Sequence, residues 1–408
     1  MYNVIRNESY DFIGSSYASL YPNLHKYPAT MLPQIGINLF NEFNIKAQSL
    51  LDPYCGSGSS FTVGLDRDVS TMVGFDLNPL AALISRAKFT KLDFTTLDRL
   101  RKKLRNDIYE YIKDDNNLLR IEIPSFNNMD FWFSKNVILS LAVIRKFILE
   151  ISDINYRRLF LLPFSETARE CSYTRNNEFK LYRIKADDIL DFNPDVYGIY
   201  FYKLHETIHL YTAYYLPLLE KHATVSVYND SFQKTDNLFD VVLTSPPYGD
   251  SKTTVAYGQF SFFGNHWLGI KNARKVDDVL MGGRASKNLY TSGIMKNYIF
   301  DIAEISKKRA LEVSAFYMDL KKSISDVARS ISDGGWSIYI VGNRCVKGIT
   351  LPTDQFIAEQ FEEQGFHHII TYERLIGNKS MPLKNSPSNI RGQRVGTMTK
   401  EYIVVCKK

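Results

Sequence analysis

Residues 49–60 read SLLDPYCGSGSS, and residues 71–82 read TMVGFDLNPLAA. In each, a short apolar run ends in residues that break a strand. Ser49 to Asp52 predicts a buried strand opening into a glycine turn, and the segment from Phe61 to Leu65 can start a helix. Thr71 to Asp76 predicts a second strand, followed by a helix from Pro79 to about Lys88. A β-α-β-α beginning of this kind implies a parallel sheet with helices on its faces.

The turn itself carries chemistry. Gly56-Ser57-Gly58 has no Cβ crowding at its glycines, so a ligand can approach backbone N–H groups at a helix start. Asp76, at the end of the second strand, can accept both hydroxyls of a ribose. The pair predicts a nucleoside-containing cofactor. It leaves NAD and S-adenosylmethionine both open, because the GxGxxG spacing is absent.

Further strands are predicted at Ala223–Tyr228 and Phe239–Leu243. A helix from about Leu311 to Ser332 then leads through Asp333-Gly334-Gly335 into the apolar run WSIYIVG. Phe356–Glu363 reads as helix, and Phe366–Ile376 and Glu401–Cys406 as the last two strands. Between the second and third strands, residues 92–222 are mainly helical in pattern, as in LDRLRKKLRNDIYEYI and NVILSLAVIRKFILEI. The polar stretch from Ser251 to about Lys308 has more Lys and Arg than Asp and Glu.

Bulk composition excludes several classes. At 408 residues, 45% hydrophobic and 23% charged, the chain has the profile of a soluble globular protein. A net charge of +6 fits a polyanionic partner without demanding one. The four cysteines lie far apart with no CxxC pair, so neither a zinc ribbon nor a disulfide framework is expected. The start, MYNVIRNESYDF, has no apolar signal core, and the longest apolar stretch, Val137 to Ile151, is broken by Arg145 and Lys146. A cytoplasmic protein is the expectation.

Thr244-Ser245-Pro246-Pro247-Tyr248 follows FDVVL, at the carboxyl end of a strand where an open α/β sheet places its ligands. Pro-Pro is a common rigid strand exit. It also suits one reaction. An exocyclic amino nitrogen is a poor nucleophile because its lone pair is delocalised into the ring. Acceptors around it, here the Ser245 hydroxyl and the Pro246 carbonyl, favour a pyramidal nitrogen able to attack a sulfonium methyl. Tyr248 offers a stacking face to a flipped base, about 1–3 kcal/mol against an extrusion cost of a few.

DPYCGSGSS, then GFDLNPLA, then SPPY, in this order, resemble the amino-methylating DNA methyltransferases. The resemblance runs from about His25 to the C-terminus apart from the insertions. It implies a Rossmann-like S-adenosylmethionine-dependent methyltransferase sheet ending in a β-hairpin, with a largely helical insertion. It also assigns the catalytic tetrad Ser245, Pro246, Pro247 and Tyr248. For the cofactor it implies Tyr27 and Pro28 in His25-Lys26-Tyr27-Pro28 at the methionine end, and Asp52, Tyr54, Cys55, Gly56, Ser57, Gly58 and Ser59 in the glycine turn. Asp76, Leu77 and Asn78 follow the second strand, and Asp230 and Ser231 would stand at the adenine. Asp230 reads equally well as a turn-forming residue. Serine at the head of the tetrad is associated in this family with cytosine N4, and Asp or Asn with adenine N6. The chain has no Pro-Cys dipeptide, which carbon-5 cytosine methylation requires.

The resemblance further implies double-stranded DNA as substrate and a cognate restriction endonuclease as partner. The expected division is residues 1–91 for cofactor binding, 92–222 as the helical insertion and target-recognition lobe, and 223–408 as the rest of the catalytic domain with its DNA-contacting loops. Three segments compete to read DNA. Ser165–Lys185 offers Arg175, Lys180 and Arg183; the stretch after the tetrad offers Tyr257; and Gly377–Thr399, which has no acid, offers Lys384, Arg391 and Arg394.

Other readings stay open. His205-Glu206-Thr207-Ile208-His209 matches the HExxH zinc-peptidase signature, though two surface histidines on a helix explain it as well, and no metal is expected. An RNA amino-methyltransferase is disfavoured because only 24 residues precede His25, leaving little for an RNA-binding domain. A binding module without chemistry would not need GSG, Asp76 and SPPY together.

Overall fold

The strand, turn and helix expected over residues 49–88 are present in the computed structural model, which describes residues 1–14, 20–28, 30–176, 178–233, 235–250, 256–271, 273–376, 384–385, 395–396 and 399–408. The chain runs through β1 (Val4–Arg6), α1 (Pro33–Glu42), β2 (Ser49–Asp52), α2 (Ser59–Asp66), β3 (Thr71–Phe75) and α3 (Pro79–Lys88). The main insertion helices are α4 (Phe94–Tyr111), α5 (Lys135–Leu149), α6 (Ile154–Glu170) and α7 (Val196–Leu210). After them come β4 (Thr224–Tyr228), β5 (Phe239–Thr244), α8 (Tyr257–Trp267), α9 (Met295–Ile305), α10 (Lys307–Arg329), β6 (Ile331–Val341), α11 (Thr353–Glu362), β7 (His367–Leu375) and β8 (Lys400–Lys407).

The sheet order is β1-β7-β8-β6-β5-β2-β3-β4. From β4 to β6 all neighbours are parallel, and β8 lies antiparallel between β6 and β7 as the expected terminal hairpin. Strand order reverses between β2 and β5, and an open sheet holds its ligand at such a switch, beyond the carboxyl ends.

Side-chain alternation explains why the sheet is covered on both faces. Leu50, Val241, Ile338, Ile340, Ile403 and Val405 join one apolar cluster with α1, α2, α3 and the insertion. Leu51, Val242, Tyr339, Val341, Val404 and Cys406 point the other way, into a second cluster with α9, α10 and α11. A strand buried on both sides reads as an unbroken apolar run, which is how SLLD and FDVVL appear. Each such side chain contributes roughly 1.5–3 kcal/mol by leaving water.

The insertion shares the first cluster. Leu159, Phe160, Leu162 and Phe164 of α6 pack with Leu80 and Ile84 of α3. Tyr211 and Tyr215, just beyond α7, donate hydrogen bonds to the carbonyls of Thr90 and Pro22, both at 2.7 Å. One continuous core thus fixes the insertion against the cofactor half.

Two helices lie in the stretch read as polar. In α8, Phe260, Phe263 and Trp267 are buried at helical spacing, and in α9 Met295, Ile299 and Ile302 are. β1 was not foreseen either. Its three residues show no pattern of their own and pair parallel with β7. Arg391 and Arg394 lie outside the described residues. Of Lys384 only the backbone is described, paired with Gly396. Among the described residues no helix is long and apolar enough to cross a membrane.

Candidate active site

Two left-handed glycines shape the turn beside a cavity. Gly56 (φ +50°) and Gly58 (φ +81°) turn the chain from β2 into α2 with Gly58 at the helix cap. The Cys55 N–H bonds the Phe75 carbonyl at 2.9 Å, tying the turn to β3. Asp76 then closes the arrangement. One carboxylate oxygen accepts from the Gly56 N–H at 2.9 Å and the other from the Asn78 N–H at 2.8 Å. Burial pushes its pKa up to about 6, against the pull of those hydrogen bonds.

Asp52 sits beneath, only 4% exposed. It accepts from the Tyr54 N–H at 3.0 Å, from the Thr244 hydroxyl at 2.6 Å and from the Ser60 hydroxyl. Burial pushes it too up to about 6. Through Thr244 it joins the glycine turn to the strand that delivers the tetrad. Lys88 braces the turn from behind, with its ammonium 3.2 Å from the Ser57 carbonyl and 4.7 Å from the Tyr215 ring centre. Burial draws its pKa down to about 7.

The cavity is about 290 Å³. Tyr27, Pro28, Asp52, Tyr54, Cys55, Gly56, Ser57, Ser59, Asp76, Leu77, Asn78, Ser231, Ser245 and Pro247 all line it. Residues as far apart in the chain as Tyr27 and Pro247 therefore meet where the sheet switches order. Gly58 shapes the turn without lining the cavity. Asp230 is exposed and uses its carboxylate on the Ser231 N–H at 2.7 Å, the turn-forming arrangement, while Phe232 supplies the wall. Tyr257, expected on the DNA side, lines the cavity and stacks on Tyr27 with ring centres 5.9 Å apart. The Tyr27 hydroxyl in turn accepts from Asn78 at 3.0 Å.

Several wall residues escaped sequence reading. Met281, Asp319 and Ser323 come from the region after the tetrad and from α10, and the Tyr54 hydroxyl bonds Ser323. No motif marks them, since each arrives by packing across the second cluster. Phe232 was within reach as the apolar residue following Asp230-Ser231.

The tetrad divides. Ser245 and Pro247 face the cavity, Pro246 is buried, and Tyr248 turns its hydroxyl toward Glu401 of β8 at 2.9 Å. Arg175 is exposed and pairs with Glu178 at 3.3 Å, Lys180 is half-buried, and the Arg183 guanidinium lies 4.1 Å from the Phe131 ring centre. His205, Glu206 and His209 are exposed on α7, and among the described residues no three metal-binding side chains converge.

The donor set suits an adenosyl sulfonium cofactor. Asp76 offers a carboxylate to a ribose, the glycines leave backbone N–H groups approachable, and the Ser57 hydroxyl is a buried polar atom in the wall lacking a protein partner. The type II methyltransferase M.MvaI of Kocuria varians is 36% identical over 432 aligned residues, spanning 98% of this chain and 94% of that one. This chain belongs to the type II methyltransferases. No protein-family model matches it. Among solved structures, the rRNA methyltransferase aviRa of Streptomyces viridochromogenes is 11% identical over 98% of this chain and 93% of that one, with a TM-score of 0.29.

S-adenosylmethionine is the methyl donor of this methyltransferase, and with Asp76 as the ribose acceptor its binding should depend on pH. A ribose hydroxyl donates more strongly to the ionised carboxylate than to the neutral acid. Below about pH 6 that form must first be regenerated, so affinity should fall by up to tenfold per pH unit. Asp76→Asn should weaken binding by about 1–3 kcal/mol and flatten the pH profile. Calorimetric titration over a pH series checks both, and a profile unchanged in the variant would remove Asp76 from this role. Stability runs the other way at Asp52. Its folded pKa of about 6 lies above the unfolded 3.8, so its contribution is full at low pH and lost as pH rises through 6.

Proposed function

We propose that this methyltransferase transfers the methyl group to the exocyclic N4 of a cytosine flipped out of double-stranded DNA. The observation that carries the reading is Ser245, a short neutral hydroxyl heading SPPY, in the wall of the cavity that holds Asp76 and the glycine turn. When bound, the cofactor supplies an electrophilic methyl on a positively charged sulfur. The protein's part is to place the base. Ser245 and the Pro246 carbonyl act as acceptors for the amino hydrogens, Pro246 and Pro247 keep that backbone rigid, and Tyr248 supplies a stacking face. Tyr27, Pro28 and Tyr257 cover the methyl-donor end and exclude water.

DNA as the substrate is supported by the order and content of the three motifs and by membership of the type II family. In this reading residues 92–222 form the target-recognition lobe, and Arg175, Lys180, Arg183, Lys384, Arg391 and Arg394 supply contacts to phosphates or base edges. A partner endonuclease would make the modification protective. Adenine N6 is the second reading, because the same acceptors fit any exocyclic amino group.

Nucleosides released from methylated DNA decide between them. Mass spectrometry with chromatography should find N4-methylcytosine, resolved from its 5-methyl isomer. N6-methyladenine as the sole product would overturn the cytosine assignment.

A further inference from the structure

An amino group that accepts a methyl must lose a proton, and the tetrad connects to a route for it. The Ser245 hydroxyl donates to the Tyr248 oxygen at 3.3 Å, and the Tyr248 hydroxyl donates to Glu401 Oε1 at 2.9 Å. The other carboxylate oxygen of Glu401 takes the Arg374 guanidinium at 2.7 Å, and both side chains are 2% exposed. Glu401 and Arg374 face each other across the register of β8 and β7. A buried ion pair in the terminal hairpin thus ends a hydrogen-bond chain that starts in the cavity wall.

The direction of that chain has a consequence. Because Glu401 has only lone pairs to offer, Tyr248 must give its proton to it and can accept from Ser245. Ser245 then spends its own proton on Tyr248 and turns lone pairs to the cavity. A serine hydroxyl free to rotate would equally donate. This one is fixed as an acceptor, which is what an amino substrate needs. A hydroxyl dipole aligned beforehand costs no reorganisation during the reaction.

We propose that Glu401, with Arg374 behind it, is a positioning residue for methyl transfer: it sets the polarity of Ser245 through Tyr248 and takes up the proton that the amino group releases. The inference rests on the amino-methylation reading above. The nitrogen lone pair forms the N–C bond as the methyl–sulfur bond breaks with its electron pair left on sulfur. The nitrogen, now positive, gives one proton to Ser245 Oγ. The Ser245 proton passes to the Tyr248 oxygen and the Tyr248 proton to the Glu401 carboxylate, which becomes neutral and later releases it to water. Charge and atoms balance without a further reactant.

Tyr248→Phe separates stacking from relay. It keeps the aromatic face and leaves the Glu401–Arg374 pair intact. We expect single-turnover methylation to fall about 10²-fold or more, with the affinities for S-adenosylmethionine and for DNA within a few-fold of wild type and 2-aminopurine fluorescence still reporting base extrusion. Glu401→Gln should give a similar loss, and the double variant should be no worse than either, since one unit has been broken. In both variants the rate should climb with pH, because hydroxide or buffer must take the proton, whereas the wild-type rate stays flat over that range. Tyr248→Phe working at the wild-type rate with a flat pH profile would overturn the relay, even if Glu401→Gln failed to fold. Product analysis of the wild-type enzyme keeps the two claims apart. An amino-methylated base with an undiminished Tyr248→Phe sinks the relay alone, whereas methylation at a ring carbon sinks the underlying reading as well.

Discussion

Gly58→Ala should cost roughly 2–5 kcal/mol of stability and reduce cofactor affinity at least tenfold, while Gly56→Ala should be far milder. Both glycines have positive φ, so each alanine meets the left-handed penalty of about 1–2 kcal/mol. Only at Gly58 is there also no room. A Cβ there would stand 2.4 Å from Phe89 Cε2 and 3.0 Å from the Ser85 hydroxyl, whereas at Gly56 the nearest atom is Tyr27 Cε1 at 4.0 Å. Phe89 cannot swing aside, because its ring is wedged edge-on between Phe61 and Tyr215, with centres 5.5 and 6.1 Å away. Ser85 is committed as well, donating to the Gly56 carbonyl at 2.8 Å. The turn itself must therefore shift, and with it the N–H groups and Ser57 that line the cavity. Thermal melts and calorimetric titration of the two variants give the comparison. Equal stability and affinity would mean that the turn is not held by this aromatic wedge.

That wedge also shows which features the sequence discloses. Glycines after an apolar run and an acid ending the next strand are local signals, since each is dictated by backbone geometry within a few residues. SPPY is legible for the same reason. Phe89 and Tyr215 are not, because their meeting depends on the packing of the insertion against α3. Within α8, Phe260, Phe263 and Trp267 had the spacing of a buried helix, but the polar residues around them hid it. Tyr257, at its first turn, was consequently separated from Tyr27, its stacking partner in the cavity. Asp319 and Ser323 carry no sign of their role because α10 reads as an ordinary amphipathic helix. A cavity at a sheet's switch point collects residues from several elements, and only those fixed by the local chain can be named from it.

The Glu401–Arg374 pair is the least legible of all, and it supports the second large effect. Arg374→Leu should destabilise the fold by about 3–5 kcal/mol, since it leaves the Glu401 carboxylate buried without the cation that faces it. The pair need not be a net source of stability, because taking two ions out of water offsets most of their attraction. Replacing both residues with leucine should therefore recover part of the loss, as the two positions sit side by side between β7 and β8. Activity should not follow. In the double variant the Tyr248 hydroxyl no longer donates to Glu401, so methyl transfer stays low in a well-folded protein that still binds S-adenosylmethionine. Denaturant unfolding of the single and double variants, set beside their turnover, distinguishes a structural pair from a functional one. If stability and activity return together in the double variant, the ion pair serves the fold alone; if Arg374→Leu is as stable as wild type, the carboxylate is not held by that charge.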